Sequence, residues 1–155
     1  MKLSDLLVGK SEYGINSILE KMGIKLFEFS ENGDKRGILR YFEFPDSFNL
    51  EIKRYFFISD MPIGELRGNH AHKTCYQLMH CVGPQVELKL ESPENHITLT
   101  LDTTKGLILI PPRIWVTFKG LNPNSILAVF ASELYDESDY INDYNLFMKT
   151  NQAND

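Results

Sequence analysis

Residues 85–101 read QVELKLESPENHITLTL, and this stretch decides the fold class. The runs QVELKLE and HITLTL place apolar residues at alternate positions, which is the pattern of a strand with one buried face. The SPEN segment between them is typical of a turn, because Pro and Asn favour chain reversals. Short strand-like runs separated by turn residues make up most of the chain.

Nine strand-like runs follow one another between residues 24 and 131. They are IKLFEF, GILRYFEF, LEIKRYFFI, HKTCYQLMHCV, QVELKLE, HITLTL, GLILI, IWVTFKG and SILAVFA. The separators are ENGD, FPDS, DMPIGE, GP, SPEN, DTTK, PPR and LNPN, all rich in turn residues. Short strands at this spacing predict an all-β sandwich or barrel and not an alternating βαβ fold.

Both ends of the chain predict helix. The apolar residues of the first 22 positions fit helical faces on either side of Gly14: Leu3, Leu6 and Leu7, then Ile15, Ile18, Leu19 and Met22. After Ala131 the chain becomes acidic, and Asp136, Glu137 and Asp139 predict the start of a short C-terminal helix. We therefore expect a helical extension over 1–23 and a β domain over 24–150.

Size, charge and cysteine usage narrow the possible functions. The 155 residues suit one domain, and the net charge of −5 argues against a general nucleic-acid binder while allowing an anionic small ligand. No apolar stretch approaches 18 residues and the first residues lack a secretory core, so we expect neither membrane insertion nor secretion. Cys75 and Cys81 form no CxxC pair, which favours buried thiols in a reducing cytoplasm.

The segment GELRGNHAHKTCYQLMHCVG, residues 64–83, carries the most chemistry. His70 and His72 lie two residues apart, so on a strand their side chains share one face, which points inward in a small barrel. Such a pair can hold a metal, or it can divide the roles of acid and base, because histidine titrates near neutrality. Two satisfied core histidines are the alternative without function.

The spacing of this segment resembles the first conserved motif of the cupins, a jelly-roll or double-stranded β-helix superfamily. The segment GLILIPPRIWVTF, residues 106–118, resembles the second motif, with Gly106 and Pro112 in place. In metal-binding cupins a Glu usually stands at the position of Gln77, and a His follows the second motif. This chain lacks both, and two histidines with an amide are an incomplete set of metal ligands. We therefore expect His70 and His72 to work without a metal.

Two arginines stand beside glycines. Arg67 precedes Gly68 just upstream of the histidine pair, and its planar fork suits a phosphate or a carboxylate. Arg36 precedes Gly37 at a predicted strand start and is a second candidate phosphate arm. A solvated surface group at Arg67 and an ordinary turn arginine at Arg36 are the alternatives.

Together these segments resemble the TDP-4-keto-6-deoxyglucose 3,4-ketoisomerases, a group of cupins. The resemblance covers roughly residues 24–148. It rests on DKRGIL, IKRYFFI, RGNHAHK, Gln77, GLILIPPRIW and ASELYDESDYINDYNLF. It implies a homodimer without cofactor or metal that moves the ketone of a TDP-linked sugar from C4 to C3. Such enzymes serve bacterial cell-surface glycans, such as O-antigen or S-layer glycans, or macrolide sugars.

The resemblance also implies roles for single residues. His70 and His72 would carry the proton transfers, and which of them handles carbon stays open. Arg67 would bind the pyrophosphate or sugar oxygens, and Gln77 would hydrogen-bond the sugar or orient a histidine. Trp115 would be a pocket wall, with a core aromatic as an equally good reading.

The chain departs from this family at positions that bear on activity. The resemblance extends substrate contact to Arg54 and Phe56, but relatives usually have a Tyr-Tyr pair where this chain has Phe56 and Phe57. Tyr55 is adjacent, and strand alternation should turn it away from the face of Phe56. Val116 replaces a polar residue that often follows the motif tryptophan, which predicts a more apolar pocket.

Three other functions stay open at this point. The first is a 3,5-epimerase-like enzyme on the same keto sugar, since both reactions begin by removing a proton beside the ketone. The second is a non-catalytic cupin that binds a sugar nucleotide, which the missing tyrosine favours. The third is a metal-dependent cupin enzyme such as a dioxygenase.

Overall fold

A computed structural model describes residues 12–150, and within that range the chain has twelve strands and two helices. The strands are β1 (Lys25–Phe27), β2 (Ser30–Asp34), β3 (Gly37–Tyr41), β4 (Arg54–Ile58), β5 (Arg67–His72), β6 (Gln77–Cys81), β7 (Val86–Glu91), β8 (His96–Leu101), β9 (Leu107–Ile110), β10 (Trp115–Gly120), β11 (Leu127–Ala131) and β12 (Tyr140–Ile141). The helices are α1 (Glu12–Lys21) and α2 (Tyr144–Thr150).

Two five-stranded antiparallel sheets enclose the core. The first sheet has the order β1-β9-β6-β11-β4, and the second has the order β12-β5-β10-β7-β8. Consecutive strands such as β4 and β5 alternate between the sheets, as in a jelly roll. The prediction of an all-β cupin fold with short helices at both ends is therefore confirmed.

Strand alternation creates the core between the sheets. Leu88 and Leu90 of β7 and Val116 of β10 face Met79 and Val129 of the first sheet, all in one buried cluster. Each fully buried aliphatic side chain of this kind contributes about 1.5–3 kcal/mol relative to exposure. Because the side-chain period of a strand is two, this apolar set also fixes which residues of β5 and β10 face inward.

Helix α1 closes one end of the core. Its residues Ile15 and Leu19 are buried in the main cluster together with Met22. The helix ends at Lys21, and Gly23 just beyond it has a φ of +68°, as is common after a helix. The predicted contacts of Leu3, Leu6 and Leu7 lie outside the described residues, and the domain boundary at residue 23 stays a prediction. No helix within residues 12–150 is long and apolar enough to cross a membrane.

The C-terminal helix begins later than predicted. Asp136 caps a single 3₁₀ turn at Glu137–Asp139, because its carboxylate accepts from the Ser138 N–H, and β12 follows at once. Helix α2 starts only after Asp143, whose Oδ1 accepts from the N–H of Leu146 at 2.9 Å. The prediction that the acidic residues 136–139 begin the C-terminal helix was therefore wrong. Tyr140 and Ile141, which follow them, pair with β5 as a strand.

A hairpin that the sequence pattern missed lies outside the two sheets. The ENGD segment was predicted as a turn, but it belongs to β2, which pairs with β3 in a separate two-stranded sheet. The turn itself is at Lys35 and Arg36, between the paired residues Asp34 and Gly37. The Asp34 carboxylate accepts from the backbone N–H of Arg36, which supports the reversal.

A bulge at the start of β5 controls which side chains face the core. His70 pairs with Val116 and Arg67 pairs with Phe118, with a register shift between them. Gly68 and Asn69 both have positive φ, +83° and +56°, and Asn69 is the extra residue. Cross-strand partners share a face, and Val116 and Phe118 both belong to the core cluster. The bulge therefore brings Arg67 and His70, three residues apart, to the same face.

We predict that Gly68→Ala destabilises the protein by roughly 2 kcal/mol or more. An added Cβ would lie 2.5 Å from the carbonyl oxygen of Val116, in addition to the strain of the positive φ. Gly64→Ala is the matched control, because Gly64 has φ +80° but its Cβ would meet nothing within 4 Å. Urea unfolding measures both, and equal losses for the two variants would contradict a steric role for Gly68.

Candidate active site

The inward face of β5 carries the two histidines side by side. The ring centroids of His70 and His72 are 5.0 Å apart with their planes nearly perpendicular, at 89°. His70 lies opposite Val116 on β10, and His72 lies opposite Tyr140 on β12. His72 is only 4% exposed and His70 is partly buried, and both side chains lie on the lumen face of β5.

The carboxylate of Asp139 forms a hydrogen bond with the His72 imidazole. Nδ1 of His72 lies 2.8 Å from Oδ2 of Asp139. The other oxygen, Oδ1, accepts from the N–H of Thr74 at 2.8 Å and from its hydroxyl at 2.7 Å. An ionised carboxylate can only accept, so the proton sits on Nδ1 and neutral His72 keeps a lone pair on Nε2. Within residues 12–150, Nε2 is buried without a hydrogen-bond partner.

The backbone holds His70 in a similar state. Its Nδ1 donates to the carbonyl oxygen of Gly68 at 3.1 Å, within the bulge. A carbonyl oxygen accepts, so this proton also sits on Nδ1 and the lone pair of neutral His70 is on Nε2. Both imidazoles therefore present the same basic atom.

Burial keeps the histidines neutral near pH 7. Desolvation lowers the pKa of His70, and the bond to Gly68 offsets it only in part. Desolvation also lowers the pKa of His72, with smaller contributions from His70 and Arg54, against the raising effect of Asp139. Burial would raise the pKa of Asp139, but hydrogen bonds from Thr74 and His72 outweigh it and hold that pKa below its ordinary value.

Polar groups of the first sheet face the same space. Arg54 and Gln77 both pair with Ala131 from opposite sides, so their side chains share the inward face of that sheet. The guanidinium carbon of Arg54 lies 5.0 Å from the ring centroid of Phe56 and 5.7 Å from that of Tyr135. Among residues 12–150 no carboxylate forms an ion pair with Arg54, and its buried Nε has no hydrogen-bond partner. Arg54 is thus a cation on the lumen face whose charge no carboxylate of the described residues balances.

Arg67 and Arg36 occupy different places. The bulge brings Arg67 to the inward face, where it is exposed to solvent at the start of β5. Arg36 lies in the β2–β3 turn, 83% exposed, and its guanidinium pairs with Asp34. A single chain does not bring Arg36 to the histidines, and its role as a phosphate arm stays a prediction.

The structure places Trp115 outside the lumen, which corrects its expected role as a pocket wall. Val116 faces the core, so strand alternation turns Trp115 to the outer face of the second sheet. There it is 5% exposed and packs against Ile141 and Phe147. Trp115 attaches α2 to the sheet, which is the core-aromatic alternative.

The aromatic segment of β4 follows strand alternation. Phe56 packs against the core beneath Arg54, whereas Tyr55 and Phe57 point outward and are more than half exposed. The hydroxyl of Tyr55 therefore does not reach the lumen in place of the missing tyrosines.

Sequence reasoning missed two residues that contact the histidine pair. Asp139 was treated as a helix start, and Tyr140 was not singled out, yet the Tyr140 ring centroid lies 4.8 Å from His70 and 4.5 Å from His72. The only signal was the position of both residues inside the tail motif ESDYIND. That motif does not reveal a partner 67 residues upstream.

The geometry also brings together possible metal ligands. In the part of the chain that the structure describes, ligand atoms of His72, Cys75 and Asp139 lie within 4.8 Å of one another. His72 and Asp139 are already bonded to each other, and Cys75 Sγ donates to the Tyr76 carbonyl. His70 does not belong to this group, so the two histidines do not share one cluster of possible ligands.

Comparison with known proteins identifies the family. The family model described as FdtA, WxcM-like, C-terminal matches residues 22–152. A curated TDP-4-oxo-6-deoxy-alpha-D-glucose-3,4-oxoisomerase from Aneurinibacillus thermoaerophilus is 31% identical over 125 residues, covering 81% of this chain and 90% of that protein. The resemblance found in the sequence is confirmed.

Solved structures give the same result. The sugar 3,4-ketoisomerase QdtA from Thermoanaerobacterium thermosaccharolyticum, in complex with TDP, is 29% identical with a TM-score of 0.74, covering 81% of this chain and 92% of that one. A 3,4-ketoisomerase from Helicobacter canadensis is 30% identical with a TM-score of 0.75, covering 83% and 96%.

We predict that His70 and His72 both titrate below the ordinary value of 6.5 and are neutral at pH 7. The unfolded chain then binds more protons than the native one just below pH 6.5, so these groups reduce stability as pH falls through that region. Long-range ¹H–¹⁵N spectra of the imidazoles give both the pKa and the tautomer. A His72 pKa above 6.5, or a proton on its Nε2 in the neutral form, would contradict the account.

Proposed function

The chain belongs to the FdtA family of WxcM-like, C-terminal proteins, and we propose that it is a TDP-4-keto-6-deoxyglucose 3,4-ketoisomerase. The observation that carries the proposal is the pair of histidines on the lumen face, each with its proton held on Nδ1, one of them hydrogen-bonded to Asp139. Two such imidazoles can act as the base and the acid that a keto–enol rearrangement of a sugar ketone requires.

The reaction shifts hydrogen within the sugar and needs no oxidant. The 4-keto group acidifies the C3 proton. A base removes it, the C3–H electron pair forms a C3=C4 bond, and the carbonyl pair moves to the C4 oxygen. The C4 oxygen is protonated, the C3 hydroxyl then loses its proton to form the new ketone, and C4 takes up a proton. The sugar begins and ends with one ketone and the same number of hydrogens.

His72 is the base that we assign to C3. Its Nε2 carries the free lone pair, and Asp139 stabilises the imidazolium that forms when the proton arrives. His70, 5.0 Å away, supplies the second group needed to protonate and deprotonate the sugar oxygens. The low pKa of both groups keeps the base form available at pH 7.

Donors on the opposite sheet complete the proposed site. Arg54 and Gln77 face the lumen, where a charge develops on the C4 oxygen in the enediolate. A guanidinium without a carboxylate partner suits that charge better than the neutral amide. Arg67, exposed on the same face as His70, is placed to bind the pyrophosphate, and Phe56 offers an apolar contact to the sugar.

The proposal also covers cofactor use, cellular location and the product's destination. Neither a cofactor nor a metal enters the chemistry above, and we propose that none is used. Cys75 and Cys81 are buried free thiols, which suits a bacterial cytoplasm. The product would supply deoxysugars for cell-surface glycans such as O-antigen or S-layer glycans.

We also propose a homodimer that forms through the outer face of the first sheet. Tyr55 and Phe57 are 54% and 59% exposed there, and the aromatic surface continues through Phe130, 4.8 Å from Tyr55, to the stacked ring of His80. A continuous apolar face of this kind is typical of an interface between copies.

A non-catalytic sugar-nucleotide-binding protein is the second candidate. Phe56 at an inward position without a hydroxyl is the observation that favours it. The epimerase alternative shares the first proton transfer but exchanges hydrogen at C5 or at C3 without moving the ketone.

For the isomerase we predict a 3-keto product that carries deuterium at C4 when the reaction runs in deuterated water. The substrate is TDP-4-keto-6-deoxyglucose made in place by a dehydratase, and NMR follows the ring protons. His70→Asn, checked for folding by circular dichroism, should give no product. Exchange at C5 would favour the epimerase. Binding without exchange would favour the non-catalytic protein, and both results contradict the proposal.

For the dimer we predict that light scattering after size exclusion gives twice the mass of the chain at micromolar concentration. Phe57→Lys should give a monomer, since a charge at the centre of an apolar interface is poorly solvated. Ile63→Lys is the control, because Ile63 is 62% exposed but lies in the β4–β5 loop and not on a strand of this sheet. A monomeric native protein would refute the dimer, and a dimeric Phe57→Lys variant would refute the surface.

A further inference from the structure

We propose that Tyr140 is a positioning residue whose ring holds His70 and His72 in their reactive arrangement, while its hydroxyl is not needed. The inference deepens the proposed function and rests on it. The rings of His70, His72 and Tyr140 form one group in the lumen, and the proposed reaction assigns no role to Tyr140.

The Tyr140 ring contacts both imidazoles. Its centroid lies 4.8 Å from that of His70 and 4.5 Å from that of His72, with interplanar angles of 51° and 58°. The two imidazoles are themselves 5.0 Å apart and perpendicular. Each ring of the group therefore packs against the other two, and close packing of this kind restricts ring rotation.

Tyr140 matters more for His70 than for His72. Asp139 already orients His72 through a hydrogen bond of 2.8 Å from a distant part of the chain. His70 has only the local bond to Gly68, at 3.1 Å and two residues away. The Tyr140 ring is thus the aromatic contact that we assign to holding the His70 ring relative to its partner.

The backbone gives Tyr140 a fixed position. β12 has only two residues, and they face opposite sides of the sheet: Ile141 is buried on the outer face with Trp115 and Phe147, and Tyr140 faces the lumen. The residue before them, Asp139, bonds His72. A single short segment therefore supplies the hydrogen bond, the ring contact and the anchor that holds both.

The ring also suits the chemistry that the histidines perform. When Nε2 of His72 takes a proton from C3, the imidazole becomes a cation whose centre is 4.5 Å from that of an aromatic ring, a distance at which a ring stabilises a cation. In the resting state the same ring excludes water from the neutral imidazoles. Both effects come from the ring, and neither requires the hydroxyl.

The experiment compares Tyr140→Phe with Tyr140→Leu. Tyr144→Leu is the matched control, because Tyr144 packs against Trp115 on the outer face and contacts neither histidine. Each variant is assayed for kcat and KM with TDP-4-keto-6-deoxyglucose. The imidazole pKa values are measured by NMR without substrate.

We expect Tyr140→Phe and Tyr144→Leu to keep kcat within about threefold of the native enzyme. Tyr140→Leu should lose about 10–100-fold in kcat with little change in KM, the scale of a misplaced catalytic group. Its His70 pKa should rise towards 6.5, because water reaches the imidazole. If Tyr140→Leu does not fold, Tyr140→Met keeps an apolar side chain of similar length without the ring.

Two results would overturn the inference. An equal loss in Tyr140→Phe and Tyr140→Leu would make the hydroxyl the active part, and an unchanged kcat and His70 pKa in Tyr140→Leu would remove any role for the ring. If the native protein shows no isomerase activity, the proposed function fails, but the pKa measurements still decide whether Tyr140 shields the histidines.

Discussion

The hydrogen bond between Asp139 and His72 is the interaction on which the site depends. It joins residues that are 67 positions apart, and it fixes the proton of His72 on Nδ1. The free Nε2 that results is the atom which the proposed reaction requires. The bond also draws the C-terminal segment onto β5, so that Tyr140 pairs with His72 and Ile141 with Ala71. Without this segment, one side of the histidine pair would be open to water.

A second constraint comes from the bulge at Gly68 and Asn69. A regular strand would place Arg67 and His70 on opposite faces, because they are three residues apart. The bulge moves both to the inward face and leaves the Gly68 carbonyl as the acceptor for His70. The bulge residues Gly68 and Asn69 therefore orient His70 and also turn the Arg67 side chain to the inward face. This explains why a glycine stands where any side chain would meet the Val116 backbone.

The sequence predicts the features that depend on local periodicity. Alternating apolar residues identify most of the strands, and the two-residue spacing places His70 and His72 on one face. The turn-like ENGD segment was misread because it pairs within a local hairpin, and the acidic 136–139 segment was misread because the residues after it pair with the distant β5. Trp115 was misplaced for a related reason: alternation says that it opposes Val116 but does not say which face is the lumen.

Partners that are distant in the chain were beyond the reach of the sequence pattern. Nothing in the spacing of Asp139 or Tyr140 shows that they contact the histidines, since that contact arises from the pairing of a two-residue strand. The pKa of each histidine likewise depends on burial between the sheets, and that of His72 also depends on the hydrogen bond to Asp139. The sequence identified His70 and His72 but not Asp139 or Tyr140 as site residues. Proposing which residue acts as base and which act as donors required the hydrogen bonds and strand pairing of the structure.

The most direct test of the account is the pH dependence of kcat for Asp139→Asn, with Asp143→Asn as the control that keeps a helix cap. The account predicts a loss of about 10²–10³-fold for Asp139→Asn, the scale of general acid–base catalysis. Because Asp139 raises the pKa of His72, the acidic limb of the profile should also move to lower pH. A native profile and a kcat within about threefold of the control would contradict the central role of the bond.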